Sequence, residues 1–249
     1  THVSQCRRLF SMPRMLTFVF IFLGNSSCGA IFNVFRQGVQ PSHLINSVRW
    51  YFVLDFESTC SEDKAHVPEI IEFPVVILDS VDGIVVDHFQ RFVRPTENPL
   101  LTSFCKNLTG VKQSDVDSAG ELSVVLKEFE IWLKLKKEEL GCRFKPSADA
   151  SAIFVTWTDW DISTCLWNEC RRKKLALPHD LLNRMDMKAV FQQWLGSCSA
   201  RQKWRGGLSD ALTLVGLTFE GRPHRGIDDA RNTSRLLFHL LSKGISLVT

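Results

Sequence analysis

The stretch WYFVLDFE at residues 50–57 places two carboxylates directly after an apolar run. Aromatic and β-branched residues favour strands, so residues 50–54 are predicted to form a buried β-strand. Because side chains alternate along a strand, Asp55 and Glu57 are expected to point the same way. Two like charges on one face repel each other, and a divalent cation is the usual relief. The stretch therefore predicts a metal site at the end of the first strand.

Two acids further along the chain extend this site. Asp161 follows the β-branched run at residues 151–156 and begins a helical pattern, and Asp229 lies in the first turn of the last predicted helix, shortly after His224. Carboxylates are the ligands that Mg²⁺ prefers, and a pair of divalent ions suits phosphodiester hydrolysis. An imidazole that titrates near neutrality can deprotonate the attacking water. The set predicts metal-dependent phosphodiester chemistry.

The composition limits the alternatives. The chain has 249 residues with 45% hydrophobic content, enough for one sizeable core, and a net charge of only +3. Any nucleic-acid surface must therefore come from local clusters of charge. The eight cysteines include no Cys-x-x-Cys pair. Their spacing argues against zinc-ribbon and thioredoxin-like sites and favours a reduced protein of the cytoplasm or nucleus.

Residues 1–48 are predicted to be a leader outside the folded domain, which we expect to span residues 49–249. The apolar stretch at residues 16–23 follows Arg14 and precedes small residues. It is too short to span a bilayer, so no stable membrane span is predicted. The pattern fits either a targeting segment translated from Met12 or Met15, with organellar or secretory targeting as its consequence, or a poorly ordered leader. Both interpretations stay open.

The remaining pattern predicts an α/β fold. Residues 69–78 and 84–93 read as two antiparallel strands joined by a two-residue turn at Asp82-Gly83, and residues 151–156 read as a further strand. Apolar residues at helical spacing indicate that a series of helices follows. The expectation is a mixed sheet of about five strands, the first three in a meander, with helices packed on it. The helices are predicted at residues 121–137, from Asp161 to before Pro178, and at 190–195, 210–217 and 227–242.

Several motifs together resemble the DEDDh class of 3′→5′ exonucleases, which have the DnaQ-like ribonuclease H fold. Within that class they are most similar to the Eri-type (enhanced-RNAi, 3′ histone exonuclease) exoribonucleases. The resemblance covers about residues 50–245, and the motifs occur in the order expected of that family. The motifs are DFESTC at 55–60, EIIEFPVV at 69–76, FVRP at 92–95, LTGV at 108–111 and GRPH at 221–224.

The resemblance implies roles for individual residues. The four acids, Asp55, Glu57, Asp161 and Asp229, would hold two Mg²⁺ ions, for which Mn²⁺ can substitute, and His224 would be the general base. Glu57 would also orient or deprotonate the water. An aromatic or apolar wall suits base stacking without sequence choice. The implied nucleotide-binding residues are Phe56, Ser58, Leu108, Thr109, Trp160 and His224.

Two choices within the motifs follow from the family pattern. Asp161 is chosen over Asp159 because the family places its acid after an aromatic residue at the helix start. The spacing of histidine, four residues and aspartate selects Asp229, and Asp228 is then expected to cap the helix. Trp157 departs from the family, which often has a polar residue there, so the family pattern does not determine the geometry around Asp161.

Basic residues supply candidate contacts to RNA. Arg222 and Arg225 flank His224, and Lys203 and Arg205 flank Trp204 in a glycine-containing loop. Such pairs could grip phosphates or line a single-strand path, although Trp204 fits the core equally well. The run at residues 171–174 is either a solvated helix end, a phosphate track or a nuclear signal. Trp132 and Trp194 are predicted core residues.

Three hypotheses follow. The first is an exoribonuclease that trims the 3′ ends of structured or small RNAs, with an RNA 3′ end and ribonucleoproteins as partners. The second is a DEDDh exonuclease that acts on DNA. The third is a catalytically silent RNA-binding module of the same fold, and the intact acid set with its histidine argues against it.

Overall fold

The computed structural model describes residues 48–63, 65–147, 149–198 and 204–245. All of them belong to one compact unit, Asn46–Thr249. The predicted leader up to residue 47 and the predicted contact Lys203 lie outside the described residues. In the described part of the chain, no helix is long and apolar enough to cross a membrane.

A single mixed sheet forms the centre of the molecule, as the sequence predicted. β3 is antiparallel to β4 along one edge and to β1 and β2 along the other, and β5 and β6 extend the sheet in parallel beyond β1. The first three long strands form the predicted meander. The strands are β1 (Trp50–Leu54), β2 (Glu57–Ser58), β3 (Ile70–Asp79), β4 (Ile84–Phe92), β5 (Ala152–Thr156) and β6 (Arg184–Asp186).

The acid-bearing strand is interrupted between β1 and β2. Leu54 pairs with Val75 and Glu57 pairs with Glu72, so Asp55 and Phe56 pass the part of β3 that contains Pro74. Proline has no backbone N–H to donate to a neighbouring strand. The ladder breaks there, and the sheet has six strands where about five were predicted.

The turn between β3 and β4 differs from the predicted two-residue hairpin. Asp79 pairs with Ile84, so four residues, 80–83, connect the strands. Gly83 has a φ of +72°, and its N–H donates to the Asp79 carbonyl oxygen at 2.8 Å. A Cβ at Gly83 would collide with the ring of Phe238. The glycine thus serves the left-handed turn and the packing of the last helix over it.

Helices cover both faces of the sheet. Alternation along β1 sends Phe52 and Leu54 into the core under α3, and Tyr51 and Val53 into the core under α5, α6 and α7. Trp132 packs on the first core and Trp194 on the second, as predicted. The helices are α1 (Ser103–Thr109), α2 (Gln113–Asp117), α3 (Leu122–Glu139), a π-helical turn (Asp161–Leu166) that continues into α4 (Trp167–Lys173), a 3₁₀ turn (His179–Leu182), α5 (Met187–Cys198), α6 (Leu208–Leu214) and α7 (Gly226–Ser242).

Candidate active site

The predicted acids meet in one cavity of about 400 Å³. Asp55 and Glu57 reach it from the interruption between β1 and β2, and Asp161 reaches it from the π-helical turn after β5. Asp229, in the first turn of α7, and His224, just before that helix, complete the set. Four acids and a histidine that are far apart in sequence therefore line the same space.

The structure separates Asp161 from its neighbour Asp159. The Phe56 N–H donates to Asp161 Oδ1 at 2.8 Å, and the Asp161 side chain lines the cavity. Asp159 instead accepts two hydrogen bonds from the Arg184 guanidinium of β6. The sequence choice of Asp161 as the cavity acid agrees with this placement.

Trp157 is accommodated by a hydrophobic neighbourhood. Its ring packs against Phe191 and Trp204 with centroids 6.4 and 6.0 Å away, and it also lines the cavity. The expected departure from the family at this position is thus absorbed by packing, and Asp161 still reaches the cavity. Trp204 is a core residue, not part of an exposed single-strand path.

A tight loop presents His224. Gly221 has a φ of +85°, and His224 itself has a φ of +62°, which is uncommon for a residue with a Cβ. Asp228 Oδ2 accepts from the Arg222 N–H at 3.1 Å, so this carboxylate holds the loop instead of capping α7 as expected. The imidazole stays exposed at the cavity, where a substrate can reach it.

The start of α7 is pressed against the acid-bearing strand. A Cβ at Gly226 would collide with the carbonyl oxygen of Asp55 and lie 2.8 Å from Pro74 Cγ. The Gly226 N–H donates to Glu72 Oε2 at 3.2 Å, and Gln90 Nε2 donates to the other oxygen of Glu72 at 2.7 Å. Glycine at this position allows the helix to approach the strand closely.

Glu72 is a fifth carboxylate near the site that the sequence analysis did not single out. It is buried in β3, directly opposite Glu57 in the ladder. Its charge contributes to raising the pKa values of Asp55, Glu57 and Asp229. An acid within a strand that is otherwise apolar, in the EIIEFPVV motif, was the available signal.

Uncompensated negative charge dominates the electrostatics of the cavity. Burial, assisted by Asp161 and Asp229, raises the pKa of Asp55 well above its usual range. Burial and the Asp229 charge raise the pKa of Glu57 to about 9. Burial also raises the pKa values of Asp161 and Asp229 to about 7, despite backbone N–H donors to each. A cation placed here would favour the charged forms of all four groups.

The donor set suits a hard divalent cation. All four acids offer oxygen ligands, and Asp229 Oδ2 is buried without a hydrogen-bond partner. In the described part of the chain, no three Asp, Glu, His or Cys side chains are grouped so that they could hold a metal ion as they stand. The acids thus fit a divalent metal by chemistry and charge, as an open set around one cavity.

All six residues of the predicted nucleotide pocket line the cavity. The LTGV motif forms the end of α1, where Gly110, with a φ of +75°, terminates the helix. Leu108 and Thr109 thereby form one wall, and Trp160, which is 42% exposed, stands at the opening. The lining residues that the sequence analysis missed are Cys60, Trp157, Thr158, Gly207, Leu208, Ser209 and Pro223.

The predicted basic contacts lie outside the cavity lining. Arg222 Nη2 donates to the carbonyl oxygens of Asn107 at 2.7 Å and Leu108 at 3.4 Å, so the guanidinium binds the end of α1. A Cβ at Gly110 would collide with this guanidinium. Arg225 precedes α7, and Arg205 lies in the loop before α6; both are exposed. The positions of these arginines do not indicate that they contact a nucleotide.

A larger cavity of about 600 Å³ lies elsewhere, between α3, the segment at residues 141–143 and the 3₁₀ turn. Its lining mixes basic residues such as Lys134 with acidic residues such as Glu130, and Lys137 pairs with Asp180 within it. None of the converging acids reaches this cavity. Convergent chemistry, not size, therefore identifies the candidate site.

Comparisons with known proteins identify the family to which the chain is similar. The exonuclease family model RNase_T matches residues 52–237. The chain is 42% identical over 203 residues to ERI1 exoribonuclease 2 of Danio rerio. The aligned region covers 78% of this chain and 35% of that protein. It is 35% identical to the 3′-5′ exonuclease Snipper of Drosophila melanogaster, with 84% of this chain and 73% of that protein covered.

Solved structures give the same result. The nuclease domain of 3′hExo, a DEDDh family member bound to rAMP, aligns with a TM-score of 0.70 at 33% identity, over 81% of this chain and 96% of that one. A 3′-exonuclease described in 3′-end specific recognition of a histone mRNA stem-loop aligns with a TM-score of 0.73 at 30% identity, over 88% of this chain and 74% of that one. The chain spans about a third of the length of the ERI1 exoribonuclease 2 relatives it matches.

Proposed function

This chain belongs to the exonuclease family that the RNase_T model describes, and on that premise we propose that it is a 3′→5′ exoribonuclease. Its substrates would be the 3′ ends of structured or small RNAs, from which it removes terminal nucleotides by hydrolysis. The DEDDh fold implies dependence on a divalent metal. The finer proposal is two Mg²⁺ ions, which Mn²⁺ can replace.

The observation that carries the proposal is the convergence of Asp55, Glu57, Asp161, Asp229 and His224 on one cavity. A binding module has no need of four acids that repel one another, because their repulsion would also disfavour a polyanion. A nuclease needs them, because bound divalent ions supply the positive charge that activates water and stabilises the leaving oxygen. In the proposed chemistry, bound cations therefore also relieve the repulsion among the four acids.

Each residue has a defined task in this proposal. The four acids hold the metal ions, with Glu57 also orienting the water. His224 takes the proton of the water, whose oxygen attacks the last phosphate. The bond between phosphorus and the 3′ oxygen of the preceding nucleotide breaks, leaving a shortened chain with a 3′-hydroxyl and a mononucleotide with a 5′-phosphate. Exposure of the imidazole allows it to pass the proton to solvent.

The walls of the cavity would position the terminal nucleotide. Leu108, Thr109 and Trp160 offer apolar and aromatic surface for the base, and Phe56 and Ser58 line the same space. A single nucleotide enclosed in this way can have its 2′-hydroxyl inspected directly. RNA is favoured over DNA because the 42% identical relative is named an exoribonuclease and the 33% identical structure holds rAMP.

Partners and location form part of the same proposal. Ribonucleoprotein complexes are the partners proposed to deliver the RNA. A cytoplasmic or nuclear location fits the free thiols at Cys60, Cys105, Cys142, Cys165 and Cys170.

The test follows a 5′-labelled RNA with a single-stranded 3′ end over time, with Mg²⁺ and with chelator, beside a DNA of the same sequence. We expect a ladder that shortens from the 3′ end and disappears with chelator and in the Asp55→Asn protein. The matched control is Asp159→Asn, because Asp159 pairs with Arg184 outside the cavity. A faster ladder on DNA would replace RNA by DNA as substrate, and binding without shortening of either polymer would reject the enzyme.

A further inference from the structure

The helix that begins at Asp161 exposes a row of side chains beside the cavity. Its buried residues recur every four positions, and the positions between them face solvent. Two of the exposed residues are large aromatics, Trp160 at 42% and Trp167 at 50% exposure. Exposed tryptophans within a few turns of each other are unusual in a soluble fold, because each leaves a large apolar ring in water. The buried positions are Asp161, Ile162, Cys165, Leu166, Glu169 and Cys170.

The basic run at the end of the same helix divides into paired and unpaired cations. Arg172 pairs with Glu97 at 3.0 Å, and Lys173 pairs with buried acids. The exposed guanidinium of Arg171 makes no hydrogen bond or ion pair with any residue in the described part of the chain. Arg171 lies on the same exposed side as Trp167, one turn further on. An aromatic ring and an uncommitted cation therefore stand next to each other on the surface.

The row is continuous with the cavity. Trp160 lines the cavity, and Trp167 begins α4, which continues the π-helical turn that follows Trp160. Arg171 lies four residues further on, about 6 Å along the axis of α4. When the 3′ end of an RNA enters the cavity, the preceding nucleotides must pass over the rim of the cavity. The exposed face of this helix offers them an aromatic ring and then a cation, which match a base and a phosphate.

We propose that Trp160, Trp167 and Arg171 form an upstream track that binds the nucleotides preceding the 3′ terminus. Trp167 stacks on a base, and Arg171 contacts a phosphate. Stacking on an aromatic ring accepts any base, so the track binds single-stranded RNA without sequence choice. The proposal rests on the proposed function, since it takes the strand direction from a 3′ end in the cavity.

The test measures binding by the Asp55→Asn protein, in which turnover is blocked, with 5′-fluorescein-labelled oligouridylate and with a labelled dinucleotide. Trp167→Ala is expected to weaken binding of the longer RNA by about fivefold or more, and so to reduce its advantage over the dinucleotide. Trp167→Phe should restore most of the affinity, because phenylalanine still stacks. Arg171→Ala should lower the slope of log affinity against log salt by about 0.7, as expected for one lost phosphate contact on a single strand.

The controls are Ile131→Ala, an exposed apolar residue of α3, and Arg143→Ala, a basic residue of the larger cavity. Both should keep wild-type binding and salt dependence. Thermal melting of each variant separates loss of the track from loss of the fold. Trp167→Ala and Arg171→Ala could instead keep the wild-type preference for the longer RNA and the wild-type dependence of affinity on salt. The proposed track would then be wrong, and the proposed exonuclease activity would be unaffected. If the wild-type protein fails to shorten RNA but the two variants still lose affinity, the proposed function fails and the binding surface stands.

Discussion

Two clusters of buried carboxylates in this molecule differ in whether a cation accompanies the acids. In the first, the candidate active-site cavity, Asp55, Glu57, Asp161 and Asp229 form no ion pair within the described chain, and the Arg222 charge only partly offsets burial at Glu57. In the second, which we call the lysine cluster, Lys173 Nζ donates to Glu69 at 2.8 Å and to Glu169 at 2.7 Å. Both glutamates have fully buried side chains. Similar burial therefore has two outcomes, according to what surrounds the charge.

In the lysine cluster, the carboxylate oxygens of Glu69 and Glu169 accept hydrogen bonds from several donors. Glu69 accepts backbone N–H groups from Thr96 and Glu97, and Glu169 accepts the Ile70 N–H at 2.7 Å. Burial alone would raise the pKa of Glu69, but the Lys173 ammonium and these N–H donors outweigh it and bring the pKa down to about 2. In the cavity, burial raises the pKa of Glu57 to about 9. Burial also raises the pKa of Glu169 in spite of Lys173. The two clusters thus differ in their cation and not in burial, and buried acids without a cation are candidates for a functional site.

The largest expected difference between the clusters is in activity. Asp161→Asn keeps the acceptor for the Phe56 N–H but removes a ligand charge, so activity should fall about a thousandfold. Stability in chelator should stay the same or rise, because one repelling charge is gone. Steady-state kinetics and thermal melting test both statements. Asp159→Asn is the control and should keep activity within about twofold while losing at most about 1 kcal/mol of stability. Equal loss of activity in both variants would contradict the assignment of Asp161.

Disruption of the lysine cluster should affect stability instead. Lys173→Met leaves two buried carboxylates without their cation, and we expect the free energy of unfolding to fall by about 3 kcal/mol. Urea unfolding monitored by circular dichroism measures this change. Lys174→Met removes an exposed neighbour and should have little effect. Unchanged stability in Lys173→Met would show that the two clusters do not differ as described.

The lysine cluster also predicts acid sensitivity of a defined sign. The pKa of Glu69 falls from an ordinary 4.5 to about 2 on folding, so the folded state favours its charged form. Its contribution to stability is complete above pH 4.5 and is lost as the pH falls toward 2. The melting temperature of the wild-type protein should therefore fall as the pH is lowered through this range. The melting temperature of Glu69→Gln should fall less steeply over the same range. Glu121→Gln, which disrupts an exposed ion pair with Arg94, should follow wild type.

The smallest expected effect is that of Arg222, whose charged side chain binds backbone carbonyl oxygens and not a carboxylate. Its guanidinium joins the loop of His224 to the end of α1, so it acts as a positioning residue for the base and for one wall of the cavity. Arg222→Ala should lower kcat by roughly tenfold or more through misplacement of His224. Arg222→Lys should not restore it, because the compact ammonium of lysine does not reproduce the shape and reach with which Nη2 donates to both carbonyl oxygens. A change confined to KM and to salt dependence would instead favour the phosphate contact that the sequence suggested.

The long elements of the fold could be predicted because their patterns are local. β1 and β5 are continuous apolar runs, and β3 is apolar apart from Glu72 and its last residue. β4 mixes apolar and polar residues after a turn that contains glycine. α3 and α7 repeat apolar residues at helical spacing. The split between β1 and β2 depends on Pro74, which lies on another strand, so residues 50–57 alone could not reveal it. β6 has three residues and α2 has five, and such lengths are too short to display a period.

The acids could be located because family motifs surround them, whereas their environment could not. Glu72 stands out as an acid within an apolar strand, but the sequence does not show that it lies opposite Glu57. Arg222 looks like a phosphate ligand beside His224, and its actual partners are carbonyl oxygens from residues more than a hundred positions away. Both cases depend on contacts between distant segments, which a single sequence does not encode visibly.

The close contact between Gly226 and the Asp55 carbonyl has a consequence for how this site can diverge. Any other residue at position 226 must widen the gap between α7 and the acid-bearing strand. His224 and Asp229 would then move away from Asp55 and Glu57 together, because both are attached to the same end of α7. The exposed neighbour Arg225 is free of this restriction. During evolution, the site therefore has least freedom to vary at a residue that takes no part in its chemistry.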